Sequence, residues 1–225
     1  MKDLDLSTVD ELLSTTRAVR RHLDLNRPVN PQTIVDCLRL ALQAPTGGNA
    51  QGWRWLVVTD PEVKASLAEI CRNADGGGFQ RRADLSRRTD PQDSRVYASA
   101  AYLLNVLHRV PVLVVPCILG RVQSTATADA AELYGSILPA VWSFMLALRS
   151  RGLGSVWTAI HLAREQEAAE LLGIPDDYTQ VALIPVAHTP TEVFKAASRT
   201  PVESLMYWDT WGRSEASPTQ SEHTG

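Results

Sequence analysis

The sequence predicts one domain that mixes α-helices and β-strands around a single core, and three observations support this fold class. Stretches with apolar residues at helical spacing alternate with short runs of apolar and β-branched residues. The length of 225 residues is enough to bury a substantial core. A hydrophobic content of 44% and a charged content of 21% are typical of soluble globular proteins.

Composition and charge exclude several classes of function. The net charge of -3 and the pI near 6.0 give no reason to expect nucleic acid or an acidic membrane as a partner. Cys37, Cys71 and Cys117 are odd in number and widely spaced, which argues against a disulfide framework or a zinc site. No signal peptide or apolar segment long enough to span a bilayer is evident. We therefore expect a cytoplasmic protein without a bound metal.

The helix and strand patterns follow each other with recognisable start and stop signals. Ser7 or Thr8 with Glu11 can form a capping box at the first helix, and Pro139 predicts a kink or a helix start inside the longest helical pattern. Pro116 predicts a bend or an edge in an otherwise central strand. The predicted helices are Leu4–Thr16, Gln32–Gln43, Glu62–Arg72, Val96–Arg109, Ala128–Arg151 and Ala163–Leu172, the last closed by Gly173. The predicted strands are Trp53–Thr59, Val112–Leu119, Val156–His161 and Gln180–Ala187.

Two segments differ from this pattern. Residues 73–94 contain three consecutive glycines and several arginines but almost no apolar residues, which predicts a mobile lid or a disordered insertion. Its arginines form a solvated charge run or meet a phosphorylated co-substrate. The arm Thr189–Trp211 carries Tyr207, Trp208 and Trp211 without a helix to cover them, so we expect it to wrap a second subunit of an intertwined homodimer. The domain then covers residues 1–211, and residues 212–225 form a disordered tail.

The connection Ala44–Trp53 is the most informative stretch. Pro45 ends the preceding helix, and Gly47 and Gly48 permit positive φ and a close approach to a flat or anionic group. Asn49 and Gln51 each offer an amide that both donates and accepts, which suits the edge of a heterocycle. The alternative is an ordinary helix-to-strand connector that needs glycines for its turn.

A basic segment follows the first helix. Arg17, Arg20 and Arg21 lie within five residues, and the guanidinium group matches phosphate geometry better than the ammonium group of lysine does. The segment is therefore an anion site or a solvated basic turn. His161 and His188, each near a strand end, are candidate acids, although such histidines are more often structural.

Four stretches, taken together and in this order, resemble the nitroreductase family of FMN-dependent oxidoreductases. Mycobacterial-type NAD(P)H nitroreductases are the branch that they resemble most. The stretches are Thr16–Arg21, Ala44–Trp53, Leu146–Trp157, and Leu171–Pro175 with Leu183–Val186.

This resemblance implies an α+β fold with a mixed, mostly antiparallel sheet between helices. It also implies an intertwined homodimer with FMN at the interface. NAD(P)H would give hydride to flavin N5, and a nitroaromatic, quinone or similar acceptor would take the electrons in a ping-pong reaction. The cofactor would carry the chemistry, so no catalytic side chain is expected.

The resemblance also implies which residues bind FMN. The basic motif would contact the phosphate, the ribityl chain and the N1/O2 edge; the glycine-rich loop would reach the flavin of the other subunit; a strand end would line the N5 side; and a C-terminal arginine would hold the phosphate. The implied residues are Arg17, Ala18, Val19, Arg20 and Arg21; Pro45, Thr46, Gly47, Gly48, Asn49 and Gln51; Trp157, Thr158, Ala159 and Ile160; and Arg199.

The sequence departs from the family pattern at two places. The usual pair of arginines followed by a serine reads Thr16, Arg17 and Ala18 here, and Gly52 replaces a proline. One phosphate ligand and one hydroxyl are thus absent. The alternatives are a sister chemistry on the same scaffold (flavin fragmentation or reductive dehalogenation), a flavin-binding protein without turnover, and an α+β binding domain without flavin.

Overall fold

The computed structural model describes residues 4–122, 126–190 and 194–215, and within them an α+β domain. Its helices are α1 (Leu6–Thr15), α2 (Pro31–Ala41), α3 (Pro61–Asp75), α4 (Gly78–Ser86), α5 (Pro91–Val106), α6 (Thr127–Gly135), α7 (Leu138–Arg149) and α8 (Glu165–Leu172). Its strands are β1 (Trp53–Val58), β2 (Val112–Leu119), β3 (Leu153–Ser155), β4 (Tyr178–Gln180) and β5 (Ile184–His188).

The five strands form one sheet in the order β1-β2-β5-β3, with β4 also paired to β2, and every pairing among the described strands is antiparallel. Strand β2 pairs with β5 through residues 112–114 and with β4 through residues 117–119. Pro116 lies where β2 changes from one partner to the other. Its missing N–H therefore costs no ladder bond on that side, which explains how a central strand accommodates proline.

Helices cover both faces of the sheet because the strands alternate their apolar side chains. Val112 and Val114 of β2 pack with helices α2 and α7 on one face. Leu113, Val115 and Cys117 pack with helices α3, α5 and α8 on the other. The predicted α+β architecture, with a mostly antiparallel sheet between helices, is confirmed.

The prediction of disorder over residues 73–94 is wrong, because this segment contains the end of α3, all of α4 and the start of α5. The carboxylate of Asp90 accepts hydrogen bonds from the backbone N–H groups of Gln92 and Asp93, and thus caps α5. Ala83 is buried, and Phe79 stacks on Tyr97 with 6.3 Å between ring centroids. Packing of α4 on α5 supplies burial that neither helix could supply alone. A role as a lid stays a prediction.

The strand predicted at Val156–His161 is also wrong in position. The strand is β3, and residues Ile160–Arg164 form a 3₁₀ turn that buries His161. The apolar residues of this stretch are buried in a turning main chain rather than along a strand. The predicted strand Gln180–Ala187 is divided into β4 and β5, with a single bridge between Thr158 and Leu183 beside them.

The longest helical pattern is two helices, with Pro139 in the first turn of α7, where a proline needs no N–H partner. By length and composition, Thr127–Arg149 is the one described segment that could cross a membrane. This finding corrects the expectation that no apolar segment is long enough to do so. Half of α7 is nevertheless core: Ala140, Val141, Phe144, Met145, Ala147 and Leu148 are buried.

The described part of the arm contains no strand and no α-helix; it has a 3₁₀ turn at Val202–Ser204 and further bends and turns over residues 208–212. Its apolar side chains are exposed on this single chain: Leu205 is 66% exposed and Trp211 is 91% exposed. Residues 191–193 of the predicted arm and residues 216–225 of the predicted tail lie outside the described part of the chain. The wrapping of a partner subunit stays a prediction.

Candidate functional site

The basic segment after α1 lies against β3. The backbone N–H of Val19 donates to the carbonyl of Ser155 at 2.9 Å, and the N–H of Asp24 donates to the carbonyl of His188 at 2.7 Å. Val19 is buried and packs directly on Gly154, where a Cβ atom would lie 2.9 Å from Val19 Cγ1. Glycine is required at this position because the two backbones approach so closely.

This contact places Arg20 in a cavity with the segment that follows β3. The cavity has a volume of about 390 Å³ and is lined by Arg20 and by all four residues of Trp157–Ile160. Burial lowers the pKa of the Arg20 guanidinium. The Nη1 group of Arg20 makes one long hydrogen bond, 3.4 Å to the hydroxyl of Ser99. Most of its donors therefore remain available to a ligand.

The other predicted basic residues lie outside this cavity. Arg17 donates to the carbonyl of Lys195 at 2.7 Å, which ties the start of the motif to the arm. Arg21 donates to the carbonyl of Ala98 at 3.3 Å and lies over the ring of Tyr102. Ala18 and Arg199 are exposed. Of the predicted cations, the structure brings only Arg20 to the cavity.

In the segment after β3 that lines the cavity, both backbone polar groups of Thr158 are already hydrogen-bonded. Its N–H donates to the carbonyl of Leu183 at 3.1 Å, and its carbonyl accepts from the N–H of Leu183 at 2.7 Å. A ligand contact here must therefore come from the hydroxyl of Thr158 or from a neighbouring backbone group. That this strand end lines the flavin stays a prediction.

The sequence analysis missed one wall of the cavity. Helices α4 and α5 form this wall. At the edge of the wall, the guanidinium of Arg82 lies 5.5 Å from the centre of the Tyr97 ring. The sequence does contain a signal for this wall, because the α5 residues that form it are three or four positions apart and so share one face of the helix. The added lining residues are Phe79, Val96, Tyr97, Ala100, Leu103 and Leu104.

The glycine-rich loop adopts an unusual backbone. Gly48, Asn49 and Gln51 have φ of 56°, 55° and 51°, and two of these residues are not glycine. The side-chain amide of Gln51 donates to Asn49 Oδ1 at 3.1 Å, and Ser136 Oγ accepts from the N–H of Gly47 at 3.0 Å. Such positive φ values cost energy and are common in ligand-binding loops.

This loop does not reach the Arg20 cavity of its own chain. Thr46 and Gly47 line a separate cavity of about 330 Å³ with residues of β2 and α6. Pro45, Gly48, Asn49 and Gln51 are exposed, and a Cβ atom at Gly48 would meet nothing within 4 Å. Within one subunit, the predicted site residues thus form two separate groups.

His161 lies just behind the cavity and is completely buried. Desolvation lowers its pKa to about 4, although the charge of Glu165 and the neighbouring side-chain amide of Gln180 oppose this. Neither ring nitrogen of His161 has a hydrogen-bond partner among the described residues, and neither does Gln180 Oε1. We therefore infer that His161 is neutral near pH 7, and its complete burial favours a structural role over a role as an acid.

Comparison with known proteins identifies the family. A model of the nitroreductase family matches residues 13–188, which is most of the chain. This chain belongs to the nitroreductase family. Its relatives within the family include an iodotyrosine deiodinase from Thermotoga neapolitana, 27% identical over 79% of this chain and 87% of that protein. They also include a 5,6-dimethylbenzimidazole synthase from Rhodospirillum rubrum, 28% identical over 78% of this chain and 79% of that protein.

Solved structures of nitroreductase-like proteins share the fold. An iodotyrosine deiodinase bound to FMN and 3-iodo-L-tyrosine superposes with a TM-score of 0.66 at 20% identity, over 86% of this chain and 96% of that one. Nitroreductase A from Vibrio parahaemolyticus gives a TM-score of 0.67 at 18% identity, over 91% and 76%. The relatives of this chain in the nitroreductase family thus include both reductases and other flavin enzymes.

Proposed function

We propose that this nitroreductase-family chain binds FMN at the Arg20 cavity and acts as an NAD(P)H-dependent oxidoreductase. The electron acceptor would be a nitroaromatic, a quinone or a similar small molecule. The observation that carries the proposal is the meeting of Arg20 with Trp157–Ile160 in one cavity, since these residues are far apart in the sequence.

The residues of the cavity suit FMN. A volume of about 390 Å³ lies in the range of small-ligand sites. Its walls are mostly apolar, as a flat ring system requires, while Arg20 supplies a cation with unused donors. FMN, when bound, would accept hydride from the nicotinamide and pass electrons on.

The chain's own residues then have defined tasks. The Arg20 guanidinium would donate to the edge of the ring system that becomes anionic on reduction, and would stabilise that charge. The Thr158 hydroxyl would donate to or accept from the ring. The apolar wall from α4 and α5 would exclude water and hold a flat acceptor against the ring.

We further propose that the glycine-rich loop completes the site of a partner subunit. In one chain the loop does not line the Arg20 cavity, yet its side-chain amides and glycines are exposed and held in a costly conformation. Relatives in this family are typically homodimers. A homodimer would bring the loop of one subunit to the cavity of the other and would also cover the exposed aromatic arm.

The deciding experiment is the visible absorption spectrum of the purified protein, followed by anaerobic addition of NADPH and then NADH. Oxidised-flavin bands that bleach on addition would support the proposal and show the preferred donor. If no bands appear even after reconstitution with FMN, the departures at Thr16 and Ala18 have abolished the site. Bands that do not bleach would favour a binding protein without turnover or another electron donor.

A second candidate is reductive dehalogenation or flavin fragmentation, because two sequence relatives carry names for those reactions. Reduced protein should be mixed anaerobically with 3-iodotyrosine and, separately, with oxygen. Release of iodide would favour the first reaction. Permanent loss of flavin absorbance under oxygen would favour the second, whereas full recovery of the oxidised bands would favour the reductase.

A further inference from the structure

A third cavity, which shares no lining residue with the two described above, is lined by three cations. It lies between the turn that connects α1 to α2, the first turn of α3 and the start of β2, and its volume is about 400 Å³. Arg27, Lys64 and Arg109 line it. No described carboxylate does, which is unusual in a chain of net charge -3.

Lys64 is the most informative of the three cations, because it is buried with only 8% exposure and yet has no carboxylate partner. Its ammonium group donates to the carbonyls of Val110 at 2.9 Å and of Pro111 at 3.3 Å. An ammonium group has three donors, so one remains unused. Burial lowers the pKa of Lys64, although the charge of Asp60 opposes this, and an anion in the cavity would offset the remaining cost.

The two arginines are equally free. The side chains of Arg27 and Arg109 form no hydrogen bond or ion pair with any described residue. The nearest acids are engaged elsewhere: Asp24 accepts from the backbone N–H groups of Asn26 and Arg27. Asp60 accepts from the first N–H groups of α3.

The remaining walls define the rest of the ligand. Leu25, Val29 and Val112 are apolar, and three prolines stiffen the rim. The volume exceeds what an inorganic ion needs and lies in the range of small-ligand pockets. A phosphate ester carries nearly two negative charges near neutral pH and accepts the bidentate hydrogen bonds that guanidinium groups offer. Three cations suit that charge better than they suit the single charge of a carboxylate.

We propose that this cavity is a binding site for a small organic phosphate, with Arg27 and Arg109 holding the phosphate group and Lys64 supplying a third, buried donor. The site is independent of the proposed flavin chemistry. It offers the protein a second ligand whose binding would join the α1–α2 turn to the start of the central strand β2.

The test is calorimetric titration of the full chain with phenyl phosphate, after the protein has been loaded with FMN and all unbound FMN removed, because free FMN is itself an organic phosphate and would compete for the cavity. We expect saturable binding that weakens at least tenfold in Arg27→Gln and again in Arg109→Gln, since each loses a charge-assisted contact. Arg88→Gln, which removes an exposed arginine from the turn between α4 and α5, should bind within about twofold of the unaltered protein.

Three outcomes would overturn the proposal. One is the absence of saturable binding at millimolar phenyl phosphate. Another is an equal loss of affinity in Arg88→Gln, which would mean a diffuse charge effect. The third is tighter binding of benzoate than of phenyl phosphate, which would make the site one for carboxylates. A Lys64→Met variant removes the ammonium group and retains the apolar stem. If this variant does not fold, the arginine variants still test the proposal.

Discussion

The backbone N–H of Val19 donates to the carbonyl of Ser155 at 2.9 Å, and this bond joins the basic segment after α1 to the edge strand β3. Arg20 follows Val19 and lines the cavity. On the other side, Val156 follows Ser155 and precedes Trp157, which also lines the cavity. Residues remote in sequence are thereby held in one site by backbone pairing.

Replacement of Gly154 by alanine should destabilise the protein and weaken FMN binding together. The new Cβ would lie 2.9 Å from Val19 Cγ1 and 3.1 Å from Val19 Cβ, and a β-branched side chain held at a backbone bond cannot move aside. We expect a loss of about 1–3 kcal/mol in the free energy of unfolding, as overpacking usually costs. Urea denaturation and FMN titration measure the two effects. Gly135→Ala, where a Cβ meets nothing within 4 Å, is the control.

Replacement of Arg20 by alanine should lower the midpoint potential of bound flavin. The guanidinium stabilises the anionic reduced form in the proposed site, so its loss favours the oxidised form. A charge-assisted hydrogen bond worth about 1.5–3 kcal/mol corresponds to about 30–65 mV for a two-electron couple. A redox-dye titration gives the value, with Arg88→Gln as the control. An unchanged potential in Arg20→Ala would remove Arg20 from this role.

Polar replacements in the arm should weaken the proposed homodimer. Val202, Leu205 and Trp208 are 60%, 66% and 42% exposed on the single chain, and burial against a partner would stabilise the dimer through each of them. The triple change to serine should raise the dimer dissociation constant at least tenfold in sedimentation equilibrium. Leu85→Ser, at a position 79% exposed on α4, should leave it unaltered. A monomeric unaltered protein would contradict the prediction.

His161 should make the protein lose stability in acid. Burial lowers its folded pKa to about 4 from 6.5, so the folded state excludes a proton that the unfolded chain takes up below about pH 6.5. The stability contributed by neutral His161 is therefore full above pH 6.5 and falls by about 3 kcal/mol as the pH approaches 4. In His161→Gln this part of the slope should disappear. His22→Gln, at an exposed position, should retain it; equal slopes for all three proteins would show that His161 does not carry the effect.

Several features could be predicted from neighbouring residues alone. The strand over Val112–Leu119 and the left-handed residue Gly173 after α8 lie where the sequence placed them. Pro139 marks the start of α7, as one of its two readings required. Such signals depend on the side-chain period and on the φ angles of glycine and proline, which act within a few residues.

The errors have a common origin in packing between distant elements. The arginine-rich segment around α4 has few apolar residues, but helix α5 covers those that it has, and the aromatic contact between Phe79 and Tyr97 fixes the pair. The strand predicted over Val156–His161 failed because pairing with β5 stops at Ser155. Periodicity cannot reveal where a partner strand ends.

The sequence by itself determined the family, the α+β class and the residues of the basic motif and the glycine-rich loop, because each is encoded by residue types at short spacing. Only the tertiary structure decided that Arg20 alone among the predicted basic residues lines the cavity, and that the glycine-rich loop of the same chain does not. Backbone pairing between Val19 and Ser155 settles the first, and the anchoring of Gly47 by Ser136 settles the second. Both join residues far apart in the chain, so no local pattern records them.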